Sequence, residues 1–287
     1  MIFWIFVHFV LSLCKIVHTM VKFLCLGSGS SGNSYFLTTG ATSILVDAGL
    51  SMRSLRKSLQ ANGFDLADVK AVFVTHDHAD HIKSVGNLAN EMNIPIFATQ
   101  KVHLGINRNY CVTSKLTENH VRIINKEEVV TFGEFTLKAF EVPHDSSDCV
   151  GYNIKVDDVT FCLITDAGQV TPAIQENVSD ANYLVLESNH DEEMLARGPY
   201  PAYLKGRIKS GRGHLSNREC ANLLAEYATE KLRRVWLCHL SEENNHPELA
   251  RKTVSTILRS YGIVDGVDFH VEVLRRKTPS LVYELTK

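Results

Sequence analysis

Six residues, His76-Asp77-His78-Ala79-Asp80-His81, bring three imidazoles and the Asp80 carboxylate together as H-x-H-x-D-H. The run before them, Ala71-Val72-Phe73-Val74-Thr75, reads as a buried strand, and the amphipathic stretch Ile82 to Met92 after them as a helix. On an extended segment, residues 76 and 78 point the same way and can offer two imidazoles to one ion. Asp80 and His81, where the chain turns into the helix, can face a second ion beside it. Imidazole mixed with carboxylate suits Zn²⁺, Mn²⁺ or Fe. A surface histidine-rich loop is the plain alternative, but three imidazoles and a carboxylate at one strand end argue against it.

Two ions need more ligands than one loop supplies. His144 follows the strand run Thr136 to Val142, Asp166 follows Thr160 to Thr165, and His239 follows Arg234 to Cys238. Each stands at the C-terminal end of an expected strand, where loops assemble sites. Asp47 ends another strand and could orient a ligand imidazole from behind.

The elements that must position these groups follow from patterning. Strands are expected near 21–26, 34–38, 42–47, 70–75, 95–98, 134–142, 150–156, 159–165, 183–187, 234–238 and 267–274. Helices are expected near 51–61, 81–93, 172–178, 216–229 and 247–261. Strands come first in clusters and later alternate with helices, which predicts two sheets covered by helices, not one parallel sheet. Gly27-Ser28-Gly29-Ser30-Ser31-Gly32 matches G-x-G-x-x-G after a strand. A dinucleotide site would need a helix next, and a hairpin pattern follows instead. The expectation is a tight turn whose outward N–H groups could meet a substrate phosphate.

Composition bounds the rest. The chain has 287 residues, 45 % hydrophobic and 22 % charged, with 17 Gly and 7 Pro, which excludes collagen-like, low-complexity and disordered classes. A net charge of −2 excludes attraction to nucleic acid or membrane by bulk charge, while local basic patches stay open. Seven scattered cysteines, an odd number with no C-x-x-C, indicate buried thiols in a reducing compartment, hence a cytoplasmic protein. Residues 1–19 differ from the rest: Ile2 to Cys14 holds 11 apolar residues in 13, too short to span a membrane. They read as a dispensable extension or mispredicted start, with a membrane-associating segment as the alternative. Residues 20–287 read as one domain, and no integral membrane role is expected.

With His144, Asp166 and His239, the H-x-H-x-D-H motif resembles the metallo-β-lactamase-fold hydrolases over residues 20–287. The resemblance implies an α/β fold, a four-layer αβ/βα sandwich of two mixed sheets flanked by helices. It implies His76, His78 and His144 on one metal, Asp80, His81 and His239 on the other, and Asp166 bridging. Four segments narrow it: Leu26 to Ser34, Glu187-Ser188-Asn189-His190-Asp191, Gly213-His214-Leu215-Ser216-Asn217, and His239 to Asn245. Together they are similar to the WalJ (YycJ)-like group, regarded as bacterial, cytoplasmic, DNA-directed 5′–3′ exonucleases. The His214 and His239 segments also resemble ribonuclease Z.

The chemistry expected is that of a dinuclear phosphodiesterase. Two divalent ions, Zn²⁺ first and Mn²⁺ as alternative, would clamp a phosphodiester and generate a bridging hydroxide for in-line attack. Asp80 would orient that water and take its proton. His214 would protonate the leaving alkoxide and offset charge on the phosphorane-like oxygens. Ser216 and Asn217 would add donors at a helix start, and Lys205 and Arg207, in a run of four cations in eight residues, would hold flanking phosphates. Arg275-Arg276-Lys277 reads as solvated, and Tyr200 and Tyr203 as packing residues with stacking on bases as the alternative. Glu187 and His190 carry no assignment, and Asn244-Asn245 are expected to shape the pocket behind His239. Rival readings are a ribonuclease, a small-molecule ester, thioester or lactone hydrolase on the same centre, and a metal-bearing binding module without turnover.

Overall fold

Every strand expected from the sequence forms in the computed structural model, which describes residues 19–287. The expected extension lies outside the described residues except for Thr19, whose backbone N–H donates to Asp157 Oδ2 at 2.8 Å. The first sheet holds β1 (Val21–Gly27), β2 (Ser34–Thr38), β3 (Ser43–Val46), β4 (Val69–Phe73), β5 (Ile96–Ala98), β6 (Val121–Ile123) and β14 (Tyr283–Leu285). Its spatial order is β14-β1-β2-β3-β4-β5-β6. The second holds β7 (Val129–Phe132), β8 (Phe135–Glu141), β9 (Val150–Val156), β10 (Val159–Ile164), β11 (Tyr183–Glu187), β12 (Arg234–Cys238) and β13 (His270–Val273). These run in the order β13-β12-β11-β10-β9-β8-β7. Both sheets are mixed: β3 to β6 and β10 to β13 pair in parallel, and the remaining pairs are antiparallel.

Alternation along the strands builds the layers. In β12, Trp236 and Cys238 face the other sheet, while Val235 and Leu237 face helices. Phe23, Phe73, Tyr152 and Phe161 meet Trp236 or its neighbours between the sheets, with the Phe23 and Trp236 rings 4.6 Å apart. Outside the first sheet pack α1 (Met52–Ala61), α3 (Val85–Met92) and α4 (Gln100–Arg108), through Leu55, Leu88 and Val102. Outside the second pack α5 (Pro172–Asp180), α8 (Asn217–Tyr227) and α9 (Pro247–Ser260), through Ile174, Leu224 and Val254. This is the expected αβ/βα sandwich. Among the described residues no helix is long and apolar enough to cross a membrane.

The structure adds to and corrects the expected elements. The helix expected over 81–93 is two, α2 (Ala79–Ile82) and α3, because Ser84 is tied to the end of β3. Its N–H donates to Ala48 O at 2.9 Å and its hydroxyl to Leu50 O at 2.6 Å. Three unforeseen strands, β6, β7 and β14, all lie at sheet edges, where pairing on one side leaves a weak pattern. The unforeseen helices, α4, α6 (Glu192–Arg197) and α7 (Ala202–Ile208), are short. The glycine-rich segment is the turn of the β1–β2 hairpin. Two of its N–H groups are used within it rather than outward: Gly32 donates to Gly29 O at 2.8 Å and Gly29 to Asn33 Oδ1 at 2.7 Å.

Trp236 is fully buried where both sheets meet. Trp236→Ala is expected to destabilise the fold by about 3–5 kcal/mol, measured by urea unfolding. A loss under about 1 kcal/mol would mean that this aromatic cluster does not hold the sheets together.

Candidate metal centre

The H-x-H-x-D-H loop leaves β4 at the edge of the sandwich and turns into α2. The donor atoms of His76, His78 and His144 lie within 4.8 Å of one another. His144 donates from Nδ1 to Gly213 O at 3.1 Å, which turns Nε2 towards His78 Nδ1, 3.3 Å away. His76 Nδ1 meets Thr75 Oγ1 at 3.0 Å, and its buried Nε2 has no partner. Asp77, between the two ligand candidates, turns away and accepts from Ser147 Oγ at 2.6 Å.

A second group, Asp80, His81 and His239, lies beside the first. His81 Nδ1 donates to Asp47 Oδ2 at 2.7 Å, and the other oxygen of Asp47 accepts from Thr75 N at 2.8 Å. That fixes the His81 ring with Nε2 inward, 3.2 Å from Asp166 Oδ2 and 3.6 Å from Asp80 Oδ2. His239 Nε2 stands 3.4 Å from Asp80 Oδ2 and 3.5 Å from Asp166 Oδ1. Asp166 Oδ1 is also 3.8 Å from His144 Nε2, so this carboxylate touches both groups. Close backbone approach locks the loop: a Cβ on Gly49 would lie 1.6 Å from Asp80 O.

Burial and neighbours set the charges. Burial, then His81, keeps His76 well below the usual histidine range, and burial lowers His144 too, so both rings are neutral. Burial opposes a proton on His81, yet Asp47, Asp166 and Asp80 outweigh it and push its pKa up to about 10. Asp166, Asp80 and Glu187 likewise drive His239 well up against burial. Burial alone would raise Asp80 and Asp166; His81 and His239 bring Asp80 down to about 2 and hold Asp166 well below the carboxylate range. Converging imidazoles and carboxylates, an orphaned buried nitrogen and rings oriented from behind fit divalent ions.

Residues 42–240 match the family described as the Beta-lactamase superfamily domain. The chain belongs to that superfamily. Exodeoxyribonuclease YycJ of Bacillus anthracis is 34 % identical over 91 % of this chain and 98 % of its own length. Exodeoxyribonuclease WalJ of Streptococcus pneumoniae is 36 % identical over 87 % of this chain and 93 % of its own length. Among solved structures, the metallo-β-lactamase fold protein YhfI of Bacillus subtilis superposes with a TM-score of 0.68 at 19 % identity, covering 93 % of this chain and 100 % of its own.

Around this superfamily centre the structure sorts the other expected site residues. His214 sits against both groups, its ring 5.1 Å from His144 and 5.4 Å from His239. Its Nδ1 donates to Glu187 Oε1 at 2.8 Å, and the same oxygen lies 3.2 Å from His239 Nδ1. Burial lowers the His214 pKa, but Glu187 and Asp166 more than restore it, leaving it raised. Glu187, unassigned from sequence, thus backs two histidines; Ala167 N–H and Leu215 N–H donate to its other oxygen at 2.8 and 3.2 Å. Gly213 admits the chain here, since a Cβ would lie 2.1 Å from Ile208 O.

Other expected substrate-binding groups are engaged elsewhere. Ser216 caps α8 in a capping box with Glu219, and Asn217 accepts from Ser188 Oγ at 2.6 Å and donates to Asn245. Both are 1 % exposed, so the structure does not bring them to a substrate. Lys205 Nζ donates to Ala196 O at 2.8 Å. Arg207 grips Asp145 through two hydrogen bonds, one of 3.0 Å, and Asp145 Oδ1 lies 3.5 Å from His144 Nε2. Asn245 donates to Ser188 O at 2.9 Å and to Asn189 O at 3.1 Å, and it is Asn189 that donates to His239 O at 2.8 Å. His190 is buried with an unpartnered Nδ1, and Tyr203 is exposed.

Asp47→Asn and Glu187→Gln each remove the carboxylate behind a candidate ligand. Each is expected to weaken metal retention or turnover by about 10–100-fold, read by competition with a chelator. Retention and turnover at the unaltered protein's level would remove these carboxylates from the site. Protonated His81 and His239 must lose protons to ligate. Metal uptake near neutral pH should therefore release protons, read as a buffer-dependent heat in calorimetry; no release would contradict the charges described above.

Proposed function

We propose that this hydrolase is a dinuclear, metal-dependent phosphodiesterase that degrades DNA from the 5′ end in the cytoplasm, with residues 20–287 as its catalytic domain. The observation that carries the reading is Asp166, one carboxylate within reach of two separate imidazole groups, with His214 poised against both. In this reading His76, His78 and His144 hold one ion and Asp80, His81 and His239 the other, with Zn²⁺ as the first expectation and Mn²⁺ as the second. Two such ions would supply polarisation of the phosphodiester and activation of the attacking water. The names of the two exodeoxyribonuclease relatives support DNA as substrate. The six described cysteines, all free thiols, agree with a reducing compartment.

The residues then divide the proton work. Asp80, partly exposed at the mouth of the second group, orients the attacking water and takes its proton. His214, held protonated by Glu187, gives a proton to the leaving 3′ oxygen as the phosphorus–oxygen bond breaks. Its charge also offsets the negative charge gathering on the phosphoryl oxygens.

The test is duplex DNA labelled at either end, incubated with metal-loaded protein beside His78→Ala. Release of 5′-terminal mononucleotides by the unaltered protein, lost in the variant, is expected. Preferential cleavage of RNA of the same sequence would move the substrate. Inertness towards both, with turnover of a thioester or lactone, would move the function to small-molecule hydrolysis.

A further inference from the structure

A cleft of about 920 Å³ opens between the turn that begins at Leu240, the residue after His239, and the segment that follows β13. In that segment, Arg275-Arg276-Lys277, the first and last residues are exposed as expected, and Arg276 is not. β13 lies parallel to β12, and Leu274 N–H donates to Leu237 O at 2.9 Å. The cationic triplet therefore leaves the sheet alongside Cys238 and His239. Arg276 is only 18 % exposed and pairs with Glu242 through Nη2. Its Nη1 is buried without a partner. The side chain lies along the glycine-rich turn, so close that a Cβ on Gly29 would come within 3.0 Å of it.

From Gly29 the path to the metal centre is one residue long. Asn33 accepts from Gly29 N at 2.7 Å, and its Nδ2 lies 3.2 Å from Asp80 Oδ2 and 2.9 Å from His81 Nε2. Charge at the cleft is unbalanced. Glu242 faces Arg276 and Lys277, and Arg275 is exposed with no ion pair among the described residues. Glu248 is a further carboxylate in the lining, leaving the three cations of the triplet against two acids. Glu272 is engaged by Arg234, and Arg251 by Asp265. Leu240 and Val273 give the cleft apolar lining. A cationic rim over an apolar wall, linked to the centre through Gly29 and Asn33, matches a nucleotide: phosphate on the guanidinium groups, sugar or base against the aliphatic side chains.

We infer that this cleft holds a nucleotide of the substrate strand next to the one cleaved, with Arg275 and Lys277 on its phosphate and Arg276 as the fixed wall behind them. This rests on the nuclease reading and names where the strand continues past the metal centre on the His239 side. It assigns strand binding to the triplet, in contrast to Arg207, which is engaged by Asp145.

The test pairs two readouts. In a His78→Ala background, binding of a fluorescent DNA strand is followed by anisotropy against salt. In the unaltered background, KM and kcat are measured for the strand and for bis(4-nitrophenyl) phosphate. Arg275→Ala/Lys277→Ala is expected to lower the slope of log K against log salt by about 1 for each phosphate no longer held. It should raise KM for the strand severalfold while leaving turnover of the small diester unchanged. Strand binding and salt slope equal to the parent's would overturn the inference. So would an effect confined to inhibition by inorganic phosphate, which would mark a site for the free anion. A protein that binds the strand through the triplet but does not cut it would sink the nuclease reading and leave the cleft assignment standing.

Discussion

A carboxylate taken out of water must be compensated, and the compensation of Asp166 joins the two halves of the molecule. Asp166 is 3 % exposed and follows β10 in the second sheet. His81, after β4 of the first sheet, comes within 3.2 Å, while His239, His214 and His144 approach to 3.5, 3.6 and 3.8 Å from the second. Removing His81 or His239 would leave charge unmatched in a poorly solvated place, where it costs several kcal/mol by order of magnitude. The apolar interior holds the sheets face to face along their length, and this polar cluster fixes how their ends meet.

Delivering the cluster requires backbone that most residues avoid. Asp47, Asp166 and His239 have φ of 61°, 54° and 52°, in the left-handed region. Each stands just past a strand, β3, β10 or β12, so the chain reverses direction while its side chain enters the site. Asp and His tolerate this conformation better than β-branched residues. Even so, a strained backbone costs on the order of 1–3 kcal/mol per residue and persists only where its surroundings enforce it. Here the enforcement is visible: Asp47 is held by Thr75 and His81, and His239 N–H donates to Ser28 Oγ at 2.9 Å.

Much of this was legible from the chain alone. Strand-end positions singled out His144, Asp166, His239 and Asp47 because C-terminal ends of strands converge in such sheets. Glu187 satisfied the same rule, yet its role depended on strand order. Only when β11 lies between β10 and β12 does its terminal carboxylate stand between Asp166 and His239. Ser216 and Asn217 misled in the opposite way, because a capping box and a substrate-binding helix start share one sequence signature. Edge strands β6, β7 and β14 escaped for want of burial on both sides. The break in the helix after His81 escaped because its cause, Leu50, is distant in sequence from Ser84.

The connection from Ser188 to Ser216, carrying α6 and α7, meets the first imidazole group through few bonds. Gly213 O receives His144 Nδ1, Arg212 Nε donates to His144 O at 3.2 Å, and Arg207 grips Asp145. The candidate ligands themselves come from outside this stretch. The centre is therefore separable from the wall that frames it. A lineage can lengthen or shorten this one excursion ahead of His214, and so change which polymer or small molecule is admitted, without redrawing the centre that would do the cutting.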